Sequence, residues 1–141
     1  MQDYKNHRRF HPLFHFVLVP LALFHLIYQI VRLIQEPGFD RAESVLLAII
    51  LVGILFIARM NALKVQDRVI RLEEQVRYHK VLQPDLAFQA ENLPLNQILA
   101  LRFASDAELP TLVSRTLGGD VHKPNEIKQI VINWRPDEMR V

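Results

Sequence analysis

The sequence contains no cysteine, and this absence removes several classes of site at once. Without thiols the chain has no disulfide bond, no thiol nucleophile and no thiolate metal site. Glycine is also scarce, with four residues in 141, and no glycine-rich phosphate-binding loop is present. The His-Glu-x-x-His zinc motif and the Gly-x-Ser-x-Gly nucleophile motif are missing as well. These absences favour a protein that is not an enzyme.

Charge is nearly absent from two long apolar runs in the first half of the chain. Residues 13–34 contain a single charged side chain, Arg32, and residues 44–58 contain none. A bilayer core requires ~20 apolar helical residues, and backbone groups there are satisfied only in helices or closed barrels. The sequence therefore predicts a transmembrane hairpin at residues 13–60, with spans at about 13–34 and 43–60.

Lysine and arginine are distributed unevenly around the predicted hairpin. Pro37-Gly38 marks the turn between the spans, and few basic residues lie near it. Cytoplasmic flanks of membrane proteins carry an excess of Lys and Arg, so both termini are predicted to be cytoplasmic. Residues 1–12 are expected to lie at the membrane interface. The basic residues that we expect to contact lipid headgroups are Arg8, Arg9, Arg59, Lys64 and Arg68.

Residues 61–82 contain no glycine or proline and predict a helix that extends the second span into the cytoplasm. Two i,i+4 charge pairs favour this helix, Asp67–Arg71 and Glu73–Arg77. Apolar residues recur there at alternating intervals of three and four, over fewer than three heptads. Such a stripe can contact a second copy, another subunit or the protein's own tail. Its members are Ala62, Val65, Val69, Leu72, Val76 and His79, of which Val65, Val69, Leu72 and Val76 are the expected contact residues.

Residues 83–141 are predicted to form a small helical C-terminal domain. Gln83-Pro84-Asp85 should break the long helix, and residues 86–93 look irregular. Three short helical patterns follow: residues 95–103, a segment that starts with the capping-box sequence Ser105-Asp106-Ala107-Glu108 and ends at Gly118-Gly119, and a segment from Pro124 to Trp134 that Pro136 ends. The whole chain is thus predicted to be an all-α membrane protein, with a two-helix hairpin, an extended second helix and a three-helix cap.

Histidines in the first span are the candidate cofactor ligands. His15 and His25 lie ten residues apart, or ~15 Å along a helix, so they cannot share one ion. Each could serve alone as the axial ligand of a haem or a chlorophyll-type pigment. The alternative is a neutral ring that hydrogen-bonds a carbonyl or a lipid headgroup, and then no cofactor or metal is expected.

Charge in the tail argues against nucleic acid as a partner. Residues 94–141 contain six Lys or Arg and six Asp or Glu, so their net charge is zero. Phosphate binding requires a basic surface. The expected partners are therefore the lipid bilayer and other membrane subunits, or a second copy of the chain.

Four stretches of the sequence carry a resemblance to a known family. They are residues 5–12 (KNHRRFHP), 62–74 (ALKVQDRVIRLEE), 101–110 (LRFASDAELP) and 133–137 (NWRPD). Over nearly its whole length the chain resembles a family of small bacterial inner-membrane proteins that is catalogued only as a domain of unknown function. The resemblance implies a two-span hairpin with a helical tail in the bacterial inner membrane. It implies no catalytic or binding residues.

The sequence as a whole favours a non-enzymatic accessory or scaffolding subunit of an inner-membrane complex, such as a respiratory or photosynthetic one. Three apolar surfaces that require burial support this hypothesis: the hairpin, the stripe and the cap. Two alternatives remain open. One is a haem-, chlorophyll- or metal-binding subunit that uses the histidines of the first span. The other is a membrane organiser or sensor that associates with itself through residues 62–79.

Overall fold

The computed structural model describes Tyr4 and residues 11–137. Within these residues every regular element is helical, which confirms the predicted all-α class. A π-helical turn at Leu13–Leu18 precedes six α-helices. They are α1 (Val19–Gln35), α2 (Phe39–Val81), α3 (Pro84–Glu91), α4 (Leu95–Leu101), α5 (Leu109–Leu117) and α6 (Pro124–Ile130).

The chain packs as two compact units, whose described parts we call the hairpin unit (residues 11–63) and the tail unit (residues 64–137). Helix α2 contributes its first part to the hairpin unit and its last part to the tail unit. The helix ends at Val81, in agreement with the prediction of one helix that continues to about residue 82.

Two helical stretches in the structure are long and apolar enough to cross a membrane, Leu13–Gln35 and Phe39–Val81. The π-helical turn opens the first of them, and Pro20 follows it at the start of α1. Proline has no N–H group to donate to the preceding turn, and π-type turns are one way in which a helix absorbs such an irregularity.

A short loop joins the two helices of the hairpin unit, as Pro37-Gly38 predicted. Glu36 accepts hydrogen bonds from Arg32 (Nη2–Oε2 3.2 Å) and Arg41 (Nη2–Oε2 3.1 Å), and these two arginines lower the pKa of its carboxyl group. At the other end, the rings of Phe14 and Phe56 meet edge to face with 6.3 Å between centroids. The helices of this unit therefore run antiparallel.

Away from its charged ends, most of the described surface of the hairpin unit is apolar and exposed. Among its described residues only Ala48 is buried. Large side chains such as Phe16, Phe24 and Ile54 are more than half exposed. Large exposed apolar surfaces are typical of proteins that contact lipid or another protein.

The core of the tail unit is built from α2 and the short helices. Its largest fully buried side chains include Tyr78, Ile98, Leu101 and Ile127. An isolated antiparallel bridge between Ala104 and Trp134 brings the chain after α6 against the chain after α4. Burial of these side chains holds together helices that would be too short to be stable alone.

One cap segment is helical where an irregular structure was expected. Residues 86–93 were predicted to be irregular, but helix α3 spans Pro84–Glu91, so the cap has four helices rather than three. Pro84 suits the first position of a helix, where its missing N–H costs nothing. The helix then buries Ala87 and Ala90, two small residues that do not form a visible apolar stripe in the sequence.

The predicted capping box at Ser105-Asp106-Ala107-Glu108 is also wrong. Helix α5 begins at Leu109 with Pro110 in its first turn, and no side chain caps it. The Glu108 carboxylate instead accepts hydrogen bonds from the backbone N–H groups of Ile132 (3.1 Å) and Asn133 (2.7 Å). Glu108 therefore bonds a residue 25 positions later in the chain, in place of the local hydrogen bond of a capping box.

The last helix is shorter than its apolar pattern suggested. The pattern predicted a helix from Pro124 to Trp134, but α6 ends at Ile130 and Val131 is extended. Backbone bonds explain the early end, since Ser105 donates to the Asn133 carbonyl (3.1 Å) and Arg135 donates to the Phe103 carbonyl (2.7 Å). Trp134 therefore reaches the core from an extended segment, where its ring packs on Phe103.

Tyr78 provides a test of this core. Its ring is fully buried, burial raises its pKa, and its hydroxyl has no hydrogen-bond partner among the described residues. A buried hydroxyl without a partner costs about 1–3 kcal/mol. We expect Tyr78→Phe to raise the free energy of unfolding by about 1 kcal/mol in thermal or denaturant unfolding of the full chain in detergent. Tyr78→Ala should lower it by roughly 3–5 kcal/mol, and a destabilised Tyr78→Phe protein would contradict this description of the core.

Candidate interaction surfaces

The buried carboxylate of Glu74 is the centre of a charged network in the tail unit. Its side chain is 4% exposed, and it accepts one hydrogen bond from Arg77 (Nη1–Oε2 3.0 Å) and one from Arg135 (Nη1–Oε1 3.1 Å). Two buried charges of opposite sign compensate each other's loss of hydration only when their geometry is good. This pairing fixes the side of α2 that faces the tail.

Arg77 extends the network to the segment after α4. It donates through Nε to Asp106 Oδ1 (2.8 Å) and through Nη2 to the carbonyl oxygen of Ala104 (2.7 Å). The sequence predicted a pair with Glu73 four residues earlier, but the guanidinium points into the tail unit and binds Glu74 and Asp106 instead. Three stretches that carry the family resemblance, residues 62–74, 101–110 and 133–137, meet in this network.

Arg102 is buried and forms a second ion pair close by, with the half-buried Asp137. Its Nε lies 3.1 Å from Asp137 Oδ2, and its guanidinium stacks over the ring of Phe103 at 4.3 Å. A cavity of about 320 Å³ lies between these pairs. Both signs of charge line it, and its residues are Ile70, Glu73, Glu74, Arg102, Arg135, Pro136 and Asp137. Because the charged groups largely bind one another, their clearest role is to hold the tail together.

The apolar stripe predicted on α2 lies on the side of the helix away from the tail core. Ile70, Glu74, Arg77 and Tyr78 are buried, whereas the four contact residues predicted from the sequence are exposed. Their exposed fractions are 61% for Val65, 47% for Val69, 62% for Leu72 and 56% for Val76. Among the residues that the structure describes, these four side chains therefore do not pack in the core of the protein's own tail, and another subunit and a second copy remain as candidate partners.

The five basic residues predicted to contact lipid have different surroundings. Arg59 places its guanidinium 5.6 Å from the ring centroid of Phe14, a cation–π arrangement. Lys64 and Arg68 are exposed. Arg8 and Arg9 lie outside the described residues. Contact of these side chains with lipid stays a prediction.

The two histidines of the first candidate span differ in their hydrogen bonding. His15 lies in the π-helical turn, with Nδ1 3.0 Å from the carbonyl oxygen of His11. A contact between the ring and a backbone carbonyl is the arrangement that the sequence allowed as the alternative to ligation. His25 is exposed on α1, close to the middle of Leu13–Gln35, and has no hydrogen-bond partner among the described residues.

His25 belongs to a polar side of α1. Tyr28 and Arg32 follow it at intervals of three and four, which places all three on one side of a helix. Arg32 donates to the hydroxyl oxygen of Tyr28 (Nη1–Oη 3.2 Å) and to Glu36. The hairpin unit thus carries a polar side on an otherwise apolar surface.

Sequence reasoning missed the charged network, although one signal was present. Glu74 and Arg77 are three residues apart, a spacing that places them next to each other on a helix. Nothing local marks them as buried, because burial depends on Asp106 and Arg135, which follow much later in the chain. Among the described residues, no group of three or more His, Asp or Glu side chains could hold a metal ion.

Glu74 provides a direct test of the network. We expect Glu74→Gln to lower the free energy of unfolding of the full chain in detergent by about 3 kcal/mol, because Arg77 loses a buried counter-charge. Glu73→Gln is the matched control, the same change at the neighbouring exposed carboxylate, and should alter stability by less than about 1 kcal/mol. Equal effects of the two variants would refute the central role of Glu74.

Comparison with known proteins gives a family but no activity. The model of a family described as a family of unknown function (DUF6526) matches residues 1–141. No curated protein matches the chain. No solved structure matches it either.

Proposed function

Because the chain belongs to DUF6526, a family without a known function, we propose its role from the structure. We propose a non-enzymatic accessory or scaffolding subunit of a protein complex in the bacterial inner membrane, such as a respiratory or photosynthetic one. The hairpin unit would span the membrane, and the tail unit and both termini would lie in the cytoplasm.

Membrane insertion is supported by the length and surface of the two apolar helices. Leu13–Gln35 and Phe39–Val81 satisfy the length and composition of spans, and almost none of their apolar residues are buried. The basic residues Arg59, Lys64 and Arg68 follow the apolar part of α2, as expected on the cytoplasmic side.

The main observation that supports the accessory role is that His25 is exposed on the surface of α1. In a membrane this ring would lie near the middle of the bilayer, where a polar group without a partner is costly. Lipid tails offer no hydrogen bond, so a polar group on a neighbouring helix is the natural partner. Tyr28 and Arg32 on the same side of α1 extend the surface that such a helix would contact.

The charged network supports a role without catalysis. The acidic and basic side chains that meet in the tail unit are paired with one another, as in Glu74–Arg77 and Arg102–Asp137. Groups held in this way stabilise a fold and are poorly placed to exchange protons with a substrate. The tail is therefore best interpreted as a rigid cytoplasmic module.

Native purification tests the accessory role. We expect mass spectrometry of the full chain, purified from its own membranes in a mild detergent, to find stoichiometric partner subunits. His25→Leu should reduce their recovery by about 3- to 20-fold, the effect of losing one hydrogen bond between membrane helices.

Phe24→Leu is the control for this experiment, since Phe24 is an exposed apolar residue on another side of α1. It should leave partner recovery unchanged. A wild-type chain that purifies without any other protein would refute the proposal.

The position of His25 also supports a second candidate function, a haem- or chlorophyll-type binding subunit. An outward imidazole near mid-span could be an axial ligand to such a group. The visible absorption spectrum of the same native preparation tests it. This second candidate predicts a Soret or chlorophyll band that His25→Leu removes and Phe24→Leu retains, and a colourless preparation would exclude it.

A further inference from the structure

We propose that the exposed stripe of α2 binds the same stripe of a second copy of this chain, as a parallel, in-register two-stranded coiled coil. The stripe residues that make this contact are Val65, Val69, Leu72 and Val76. The inference deepens the proposed function and rests on its membrane-anchored hairpin. The second copy would cover a surface that the core of the tail unit leaves exposed.

The placement of the stripe leaves room for a second helix. Its four side chains are 47–62% exposed, and the tail core packs on the other side of α2 through Ile70 and Tyr78. A second helix can therefore approach without displacing the protein's own tail. All four stripe residues belong to the tail unit, so the surface is complete within one unit.

The types of residue along the stripe select the form of the coiled coil. In heptad terms Val69 and Val76 occupy a positions, and Val65 and Leu72 occupy d positions. Valine or isoleucine at a with leucine at d favours parallel dimers over trimers and tetramers. The central layers, Val69 and Leu72, follow this rule.

Charge complementarity favours the in-register parallel arrangement. Arg68 occupies a g position and Glu73 the e position five residues later, and both are exposed. In a parallel dimer each g residue faces the next e residue of the other helix. Arg68 of each copy thus meets Glu73 of the other, which gives two attractive pairs. The next such pair, Gln75 with Lys80, brings no like charges together.

Anchoring explains how a short stripe can hold two chains together. Fewer than three heptads make a weak coiled coil in dilute solution. Two hairpins inserted in the same orientation would send their α2 helices out of the membrane in the same direction. Confinement to the membrane also raises the effective concentration of one stripe for another.

Disulfide cross-linking tests the proposal. The chain has no cysteine of its own, so a disulfide bond between two copies can form only at the introduced residue. We expect Val65→Cys and Val76→Cys, introduced separately into the full chain, each to form covalent dimers in native membranes under mild oxidation. These positions are eleven residues apart, or ~16 Å along the helix. In an antiparallel pair identical residues meet at only one level, so cross-linking at both levels requires a parallel register.

Ile132→Cys is the matched control, since Ile132 is an apolar residue that is 83% exposed and lies outside the stripe. It should remain monomeric under the same oxidation. Cross-linking at only one of the two stripe positions would overturn the parallel register. No cross-linking at either position would overturn the self-association.

Charge reversal tests the register independently of the cysteine positions. In the Val76→Cys background, Arg68→Glu or Glu73→Arg alone should lower the dimer fraction by about 3- to 10-fold, because two pairs become repulsive. The double reversal should restore it. Single reversals without effect, or a double reversal that is no better than either, would contradict the assigned pairing.

The two proposals fail in different ways. Loss of the cross-links while partner subunits still co-purify would refute the coiled coil and leave the accessory role intact. Cross-links in a chain that purifies without other proteins would refute the accessory role and retain the dimer.

Discussion

The buried ion pair between Glu74 and Arg77 is the constraint on which the tail unit depends. A carboxylate in a protein interior must be compensated, and here the compensation comes from Arg77 on the same helix and from Arg135 near the other end of the unit. Asp106 and the Ala104 carbonyl accept two further hydrogen bonds from Arg77. The pair thus determines which side of α2 is covered and, by exclusion, which side stays exposed.

This arrangement explains why the apolar stripe lies on the exposed side of α2. An apolar heptad pattern in a sequence is equally compatible with intramolecular and intermolecular packing. With Glu74, Arg77 and Tyr78 on the inner side, the valines and the leucine of the stripe stay about half exposed on the outer side. In the hairpin unit, His25 on α1 is likewise exposed and has no hydrogen-bond partner among the described residues. These two exposed surfaces are the physical basis of our proposal that the chain is one part of a larger assembly.

Local patterns in the sequence predicted the long elements well and the short ones poorly. The two apolar helices, the turn at Pro37-Gly38 and the continuation of α2 to residue 81 follow from hydropathy and from the absence of helix breakers. The sequence did not predict helix α3, because its buried residues are alanines, which do not form a recognisable apolar stripe. The start of α5 and the end of α6 were misplaced because Glu108 and the backbone around Trp134 bind partners distant in sequence.

For the candidate sites too, local patterns predicted some features, and contacts between distant residues decided the others. The sequence by itself determined the stripe residues, the candidate spans and the histidines, since each depends on spacing within one helix or on composition. Only the tertiary structure decided that the four contact residues of the stripe point away from the tail core and that Arg77 binds Glu74 and Asp106 rather than Glu73. It also decided that, within the described part of the chain, His15 has a hydrogen-bond partner and His25 has none. The physical reason is that burial and ion pairing join residues far apart along the chain, and no local periodicity records them.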